Sequence, residues 1–540
     1  MLADAAAVTP AYKGYLEKKG FWSWALTLDH KRIGVMYLLT TLLFFLVGGL
    51  FGLLIRLELL KPVAWVFSPQ TYNELFTIHG TVLIFLFIIP AIPSGLGNFF
   101  IPILIGARDV AFPRLNIMSY WIFVFGILVI LGSLAHPMDT GWTFYTPYSA
   151  RTDAAVTMLS LGVFMVGMSS ILTGLNFIVT VHKLRAPGMG WYRMPLFIWA
   201  LYATSIIQVV ATPVIGMTFL LLAAERVLGI GFFDPAKGGD PILFQHFFWF
   251  YSHPVVYVMI LPAMGIITEI IPTFSKKPIF GYKAIAYSSL ALAFAGFLVW
   301  GHHMFTAGMS VVADILFSVL TFSVAIPTGV KVFNWIATLY KGNISLDSPM
   351  IYSLTFIFLF VIGGLTGMFL GSLATDVEVH NTYFLVAHFH YTMMGGTVMG
   401  FFAGLHYWFP KMTGRMLDER LAKVAWAIIL VGFNITFFTM FIAGYRGMPR
   451  RFAEYLPMYQ PENVVSSIGA VILTAGIAVM FYNFVRSLFK GDPAPANPWG
   501  GRTLEWQVAS PPPEHNFDTI PTITEWPYGY GKRAGGDGKP

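Results

Sequence analysis

The amino-acid sequence predicts an all-α polytopic membrane protein, built as a bundle of twelve transmembrane helices. Of its 540 residues, 56% are hydrophobic and 11% are charged, against about 25% charged in an average soluble domain. The mean hydropathy is +0.69. A soluble globule could not cover its surface with so few charges, and the same composition excludes a disordered chain and a nucleic-acid-binding role.

Twelve apolar stretches reach the roughly 20 residues that a transmembrane helix needs. We assign residues 33–490, which contain them, to one membrane domain, because no repeat divides the region. Residues 1–32 form an N-terminal segment without a signal peptide, and the Pro/Gly-rich residues 491–540 form a tail for which we expect little regular structure. The twelve stretches cover residues 33–59, 74–105, 117–137, 155–183, 194–226, 242–275, 282–306, 312–340, 350–372, 379–410, 421–445 and 462–490.

Lysine and arginine residues are unevenly distributed between the two sides of the predicted bundle. Thirteen lie in loops on the side of the N-terminus, and seven lie in loops on the other side. Because loops rich in these residues stay in the cytoplasm, both termini are predicted to be cytoplasmic. Three of the seven outer charges, Arg446, Arg450 and Arg451, share one loop. They indicate an anionic partner there, although a solvated loop is the simpler explanation.

Ionisable residues inside the predicted spans are costly and therefore indicate function. Lys331 lies in the middle of a span, and Asp109 lies near the inner end of another. A single buried histidine is more often structural, but eight in a chain with no cysteine favour binding of a metal or haem by neutral imidazole. The eight are His79, His246, His253, His302, His303, His388, His390 and His406.

The spacing of these histidines separates their roles. His388 and His390 lie about 200° apart around a helix, so they point to opposite faces and cannot share one metal. His302 and His303 are adjacent and can converge on a metal beside the helix. His253 and Tyr257 are four residues apart and are neighbours on one helical face. Spacing alone indicates a multi-haem or metal-binding membrane protein and goes no further.

Six motifs that contain these residues resemble subunit I of the haem-copper oxygen reductases, specifically the A-type cytochrome c oxidases. The resemblance covers essentially the whole chain, and the motifs occur in the family's order on the predicted spans. Each short motif is weak, but the six together are very specific. They are T-I-H-G (His79), Y-S-H-P-V-V-Y (His253 to Tyr257), W-G-H-H-M-F (His302 and His303), A-I-P-T-G-V-K-V-F (Lys331), H-N-T-Y-F-L-V-A-H-F-H-Y (His380 to Tyr391) and G-M-P-R-R (Arg450 and Arg451).

The resemblance implies a ligand set for three cofactors. His79 and His390 would be the axial ligands of a low-spin haem, expected to be haem a, and His388 the single proximal ligand of a high-spin haem, expected to be haem a3. A five-coordinate haem that faces copper leaves an open position for O2. His246 and His406 are expected to be structural. The implied copper ligands are His253, His302 and His303.

The resemblance also implies roles for residues around these cofactors. Tyr257 would be bonded covalently to His253 and would supply an electron and a proton when O2 is split. Phe389 would lie between the haems, and Arg56 would hydrogen-bond the formyl group of the low-spin haem. Pairing with haem propionates would explain the outer positive charges. The implied propionate partners are Arg450 and Arg451.

Two proton routes follow from the remaining polar residues of the spans. Lys331 and Thr328 lie three residues apart on one helical face and resemble the family's lysine pathway to Tyr257. A second group resembles the family's aspartate pathway, although each asparagine taken alone is more often a packing group. This group comprises Asp109, Asn98, Asn116, Asn176, Ser169 and Ser170.

The sequence departs from the commonest family pattern at two positions. Val255 replaces the glutamate that ends the aspartate pathway, and Tyr251 and Ser252 lie one helical turn earlier, where their hydroxyls could relay protons. The family's magnesium site near the outer face would use His380 and the residue after it. That residue is Asn381 instead of aspartate, which keeps an oxygen ligand but loses the charge, so the presence of this metal stays open.

Two alternatives compete with this interpretation. A nitric oxide reductase would need a carboxylate near the three copper-binding histidines, and Val255 offers none. An ion transporter would favour paired broken helices, which the sequence lacks. An oxidase of this kind would reside in a bacterial inner membrane and use cytochrome c and O2. The electron-accepting copper centre would lie on a separate subunit II, because this chain has no cysteine for such a centre. A subunit III and small subunits would complete the assembly.

Overall fold

A computed structural model describes residues 14–17 and 19–531. These residues form helices joined by loops, and three isolated β-bridges are the only extended pairings among them. Eleven of the described helices are long and apolar enough to cross a membrane. The predicted N-terminal segment and tail lie outside the described residues at positions 1–13, 18 and 532–540.

The all-helical fold is confirmed, and a helical region matches each of the twelve predicted spans. Helix boundaries differ from the predicted ones by a few residues, because hydropathy does not detect capping turns. The regions are α1 His30–Glu58, α2 Pro69–Ile105, α3 Pro113–Ala135, α4 Val156–Lys183, α5 Leu196–Leu228, α6 Pro241–Ser275, α7 Tyr282–Met304, α8 Val311–Leu339, α9 Ser348–Gly371, α10 residues 383–413, α11 Glu419–Tyr445 and α12 Pro457–Lys490.

Of the twelve helical regions, α10 is the one that is not apolar enough to be among the eleven candidate membrane spans. Its three histidines and several glycines and tyrosines lower its hydropathy, although it is continuous from residue 383 to residue 413. It also starts later than the predicted residue 379. Thr382 is its N-cap, with Oγ1 accepting from the Phe384 N–H at 3.2 Å. His380 and Asn381 therefore lie in the preceding loop, outside the helix.

Helices α2 and α10 contain π-helical turns, in which the chain makes i→i+5 hydrogen bonds. In α2 these turns are Val82–Ile88 and Ala91–Gly97, and in α10 the turn is Met393–Val398. Pro93 removes one backbone donor from the α2 ladder, which favours such a local rearrangement. Turns of this type are frequent near functional sites, and here each lies shortly after a predicted haem ligand.

Helix α6 forms the centre of the bundle and α8 lies at its edge. In the most apolar window of α6, 94% of the residues are buried, against 6% for α8. The bundle has two ends, and the described N-terminal residues meet the tail at one of them through the bridge between Gly14 and Pro513. We name this end the terminal end. The side chains of α6 are thus the ones that other helices surround.

The tail covers the terminal end of the bundle. Residues 491–531 contain little regular structure, with Leu504–Gln507 as one short 3-10 turn, but many of their side chains are packed against the helices. Tyr528 Oη donates to Glu269 Oε1 at 2.6 Å, and Trp506 Nε1 donates to Tyr407 Oη at 2.7 Å. Lys411 Nζ donates to the Val508 carbonyl at 2.6 Å. The tail is therefore part of the folded bundle.

Glu505 makes the packing of the tail sensitive to pH. Its side chain is fully buried, and burial raises the pKa of its carboxyl to about 7. The folded protein then keeps a proton that the unfolded chain releases near its ordinary pKa of 4.5. The protonated Glu505 carboxyl contributes its full stabilisation below about pH 4.5, and this stabilisation is lost as the pH rises through about 7. We expect the thermal unfolding midpoint in detergent to fall across this interval, and Glu505→Gln to flatten the fall.

Glu525→Gln provides the matched control, because Glu525 lies in the same tail and is exposed. The thermal unfolding midpoint of Glu525→Gln is expected to change with pH in the same way as that of the unmodified protein. An unchanged pH dependence in Glu505→Gln would contradict a proton held at this position.

Candidate haem and copper site

Three histidines from two helices converge at the centre of the bundle. His253 Nδ1 lies 3.2 Å from His303 Nε2, and His302 Nε2 lies 3.1 Å from the same atom. One nitrogen from each ring lies within 4.8 Å of the others. A metal ion with bonds of about 2 Å to each nitrogen fits between them. The structure thus brings together the three predicted copper ligands in a set of neutral imidazoles, which suits copper.

Neighbouring side chains fix the orientation of these rings. His302 and His303 lie in the 3-10 turn Trp300–Met304, which ends α7. His302 Nδ1 lies 2.9 Å from Thr321 Oγ1 on α8, and the His303 ring stacks on Trp249 at a centroid distance of 3.8 Å. Such contacts hold the metal-binding nitrogen of each ring in one direction.

Tyr257 lies beside the three-histidine cluster, as its spacing from His253 predicts. Its Oη is 2.9 Å from His253 Nε2, so the ring uses Nδ1 toward the cluster and Nε2 toward the phenol. Gly296 makes room for the tyrosine ring, because a Cβ there would lie 2.6 Å from Tyr257 Cδ2. Both residues that would form the predicted cross-link are therefore in hydrogen-bond contact.

His79 on α2 and His390 on α10 form a second pair of facing histidines. Their ring centroids are 6.5 Å apart, with 30° between the ring planes. His79 Nδ1 faces the Gly48 carbonyl and His390 Nδ1 faces the Val386 carbonyl, each at 2.8 Å. The Nε2 atom of each ring is thus left for a metal. This separation suits two imidazoles that bind one iron from opposite sides with bonds of about 2 Å. The pair fits the axial ligands of a haem.

His388 points away from this pair, as the helical spacing predicts. It lies along a cavity of about 1120 Å³ that also borders the three-histidine cluster and Tyr257. Its Nδ1 lies 3.2 Å from Thr366 Oγ1. A cavity of this size suits a large ligand held by one histidine on one side and facing the cluster on the other. Phe389, between the two histidines of α10, also lines the cavity.

Three arginines supply unmatched positive groups around these sites. Arg56 Nη2 donates to the Asn463 carbonyl at 2.7 Å, but its buried Nη1 has no hydrogen-bond partner among the described residues. Arg450 and Arg451 line the cavity. Burial, and after it the neighbouring positive charge of Arg451, lowers the pKa of Arg450 to about 9. Hydrogen-bond acceptors and carboxylates of bound haem would satisfy these groups.

The residues predicted to hold magnesium make other contacts. Asn381 Oδ1 accepts from Arg450 Nη2 at 2.7 Å and from Nε at 3.2 Å, and His380 Nδ1 is 2.6 Å from Asp376 Oδ2. A guanidinium that occupies the amide oxygen repels a second cation. Within residues 14–17 and 19–531, these donors do not converge into a set that fits magnesium.

The predicted aspartate route begins at the terminal end. Burial raises the pKa of Asp109 to about 7, which suits a group that takes up and releases protons near neutral pH. Asn176 bonds both ways with the Phe112 backbone, at 3.0 and 3.2 Å. The side-chain oxygen of Asn98 and both polar atoms of Asn116 are buried without a partner in the described structure. Buried amides of this kind are usually satisfied by ordered water.

Hydroxyl groups that sequence reasoning missed lie farther along this route. Tyr37 Oη lies 3.1 Å from Ser119 Oγ and 3.0 Å from Ser169 Oγ, so it links α1, α3 and α4. The predicted Ser170 instead accepts from Gln208 Nε2 at 3.0 Å. The sequence pattern of an apolar helix does not distinguish a hydroxyl that relays protons from a hydroxyl that bonds to the backbone and only packs. Tyr37 and Ser119 could therefore be recognised as neighbours of Ser169 only in the structure.

The other predicted relay residues lie on α6 and α8. Tyr251 and Ser252 line the cavity, and Ser252 Oγ is buried without a hydrogen-bond partner in the described part of the chain. Thr328 lines the same cavity, with its hydroxyl bonded to the Val324 carbonyl. Lys331 is not bonded to Thr328, although both share the expected face. Its Nζ donates to Ser289 Oγ on α7, a contact that the sequence did not reveal.

The two histidines expected to be structural have local partners. His246 Nδ1 accepts from Trp300 Nε1 at 3.2 Å, and His406 Nδ1 faces the Phe402 carbonyl at 2.7 Å. His406 also stacks on Tyr352 at 4.5 Å. Neither belongs to the three-histidine cluster.

A membrane-spanning helical bundle with one facing histidine pair and a three-histidine cluster defines the haem-copper class of membrane oxidoreductases. The chain belongs to the family described as cytochrome c and quinol oxidase polypeptide I, whose model matches residues 32–472. It is therefore the catalytic subunit of a haem-copper terminal oxidase, an integral protein of a bacterial cell membrane within a multi-subunit complex. Haem and copper are its cofactors.

Individual relatives agree with this assignment. Cytochrome c oxidase subunit 1 of Thermostichus vulcanus is 46% identical over 516 residues, covering 94% of each chain. The protein of the same name from Bacillus sp. strain PS3 is 44% identical over 94% of this chain and 84% of its own. A cryo-EM structure of a heme-copper terminal oxidase dimer aligns with a TM-score of 0.75 over 86% of this chain and 84% of that one. At 21% identity it supports the fold alone.

Gly52 provides a test of the His79 site that leaves the ligand itself unchanged. A Cβ at Gly52 would lie 2.9 Å from His79 Cε1 and 3.1 Å from Nδ1, whereas a Cβ at Gly49 would meet nothing within 4 Å. Overpacking of this kind costs about 1–3 kcal/mol. We expect Gly52→Ala to displace the imidazole and to reduce and shift the low-spin haem absorbance, as measured by a reduced-minus-oxidised spectrum.

Gly49→Ala is the control on the same helix and is expected to retain the full low-spin spectrum. Identical spectra for the two variants would indicate that the haem does not depend on the position of the His79 ring.

Proposed function

We propose that this chain reduces O2 to water with electrons from cytochrome c and couples the reaction to proton pumping. The observation that carries the proposal is the three-histidine cluster, which faces His388 across the cavity with Tyr257 at 2.9 Å from His253. The relatives named cytochrome c oxidase support cytochrome c as the donor, although the family description also includes quinol oxidases.

Each cofactor has a set of protein groups that would hold it. His79 and His390 would bind a low-spin haem a, and His388 a high-spin haem a3. When bound, the haems and copper supply electron transfer and an O2-binding position between two reducing metals. Arg56, with its unpartnered Nη1, would donate to the low-spin haem. The propionates would pair with Arg450 and Arg451, and the copper would be held by His253, His302 and His303.

Tyr257 is the proton donor nearest to the reaction. Its phenol can give up a proton beside the cluster, and its contact with His253 Nε2 holds the oxygen in place. The same contact supports the cross-link that family resemblance implies. A phenol that loses its proton must regain one before it can donate again.

The lysine route would return that proton. Lys331 is buried in the membrane at 1% exposure, where an ionisable group persists only with partners or a transport role. Thr328, one turn earlier on α8, lines the cavity that contains Tyr257. Lys331 would pass its proton toward this cavity and regain one from the terminal end of the bundle.

The aspartate route would carry the pumped protons. Asp109 takes up a proton near neutral pH, and the unpartnered amides of Asn98 and Asn116 can order water farther inward. Asn176 would belong to the entrance of this path, and Ser169 and Ser170 would lie farther along it. Hydroxyls donate and accept, so the last groups can relay a proton without holding a charge. These last groups would be Tyr251 and Ser252, which line the cavity where Val255 offers no carboxylate.

The proposal includes the surroundings of the chain. Both termini would lie in the cytoplasm, with residues 33–490 as the membrane domain between segments 1–32 and 491–540. Subunit II would supply the electron-accepting copper centre, and subunit III and small subunits would complete the complex. The thirteen-to-seven distribution of loop lysines and arginines supports this orientation.

Ligand variants test the assignment of the cofactors. His302→Ala should lose copper while low-spin haem is retained, because it removes one of three converging nitrogens. His390→Ala should lose low-spin haem while copper is retained. Elemental analysis and visible spectra of the purified variants measure both quantities. His246→Ala is the control, since that histidine lies outside both sets. Full copper in His302→Ala would refute the copper assignment.

The hydroxyl relay has its own test. Tyr251→Phe combined with Ser252→Ala removes both hydroxyls without a change in helix character, so turnover and proton release from reconstituted vesicles should both fall, by about a hundredfold where the relay limits the rate. Ser275→Ala, a buried serine near the other end of α6, is the control. Full oxygen consumption together with full proton release in the double variant would exclude the relay.

A further inference from the structure

The amine of Lys331 is held by helix α7. Its Nζ donates to Ser289 Oγ at 2.7 Å and to the Ile285 carbonyl at 3.2 Å. Ser289 Oγ in turn donates to the Ile285 carbonyl at 3.2 Å, so the three groups form a closed triangle. All of this lies in the interior, with Lys331 and Ser289 each at 1% exposure.

This contact directs the amine toward α7. Thr328, Gly329 and Val332, the neighbours of Lys331 on α8, line the cavity that contains Tyr257, but Lys331 does not. The position of the amine is therefore set by Ser289, and not by the groups that its proton would have to reach.

Other titratable groups on the helices packed against α8 are engaged elsewhere. On α6, Glu269 accepts from Tyr528, and Tyr257 contacts His253. On α7, Tyr282 donates to the Met194 carbonyl, Tyr287 bonds to Tyr192, and Lys283 lies over the Tyr192 ring. On α9, which packs against the preceding part of α8, the titratable residue is Tyr352, whose ring stacks on His406 and whose buried hydroxyl has no hydrogen-bond partner among the described residues. Asp314 lies in the first turn of α8 itself.

We infer that Ser289 is a positioning residue of the lysine route, which keeps the Lys331 amine protonated between proton transfers. An ammonium in an apolar interior is stable only with hydrogen-bond acceptors, and Ser289 supplies the shorter of its two. A neutral amine would leave the route without a proton to deliver. This inference rests on the lysine route of the proposed function.

Ser289→Ala removes one of two acceptors and disfavours the charged amine. The rate at which the high-spin haem is reduced in the whole oxidase complex, measured by stopped flow, should then become half-maximal about one pH unit lower. The maximal rate at low pH should remain, since the amine is protonated there in both proteins. A purely structural role would lower the rate by the same factor at every pH.

Ser288→Ala is the matched control. Ser288 lies on the same turn and is buried, but its hydroxyl bonds to the Ile285 carbonyl at 2.8 Å and not to the lysine. Its pH profile should be unchanged. In a Lys331→Met background, which should slow the reduction about a hundredfold, Ser289→Ala should have no further effect.

The outcomes separate the inference from the function on which it rests. Suppose that Lys331→Met is slow. The role of Ser289 alone is then overturned if the pH profile of Ser289→Ala is unshifted, or if Ser289→Ala slows the double variant further. A fast Lys331→Met overturns the lysine route and this inference with it. The spectral and copper tests of the cofactor site are independent of both results.

Discussion

The interior of this bundle contains histidines, arginines and a lysine at a depth that bulk water does not reach, so every polar atom needs a partner from the protein, from a bound group or from an ordered water molecule. Main-chain carbonyls meet much of this demand. Gly48 and Val386 each face the Nδ1 of a histidine, and Ile285 accepts from Lys331. These contacts leave a defined second nitrogen of each imidazole available for a metal. The cofactor geometry thus depends on how the backbone satisfies the rings.

Helix α6 shows how packing and chemistry depend on each other. It is buried on nearly all sides, and it carries a cluster histidine, a phenol one turn later, and a carboxylate that the tail covers. A residue on such a helix meets protein on all sides, so its contacts are fixed by several neighbouring helices at once. Gly296 is one consequence, because only a residue without a side chain leaves space for the Tyr257 ring.

Hydropathy, a local property, was sufficient for the helical fold, and it predicted twelve spans where the described residues contain eleven helices long and apolar enough to cross a membrane. The grouping of six histidines came from the family resemblance and not from their spacing. The sequence was insufficient where a contact joins distant segments. Ser289 and Tyr37 look like ordinary packing residues until α7 meets α8 and α1 meets α4. The start of α10 was predicted too early, since the cap at Thr382 leaves no hydropathy signal. The described part of the tail has the little regular structure that its composition predicts, but composition does not reveal that its aromatic side chains are buried against helices up to hundreds of residues earlier.

The contact between the tail and the first helix has a consequence for biosynthesis. Lys31 Nζ donates to the Glu514 carbonyl at 2.9 Å and to Asn516 Oδ1 at 2.9 Å, so the tail is bonded to a helix that is translated several hundred residues earlier. Domains emerge from the ribosome with the N-terminal part first. The terminal end of the bundle therefore stays uncovered until the tail residues that bond to α1 have left the ribosome.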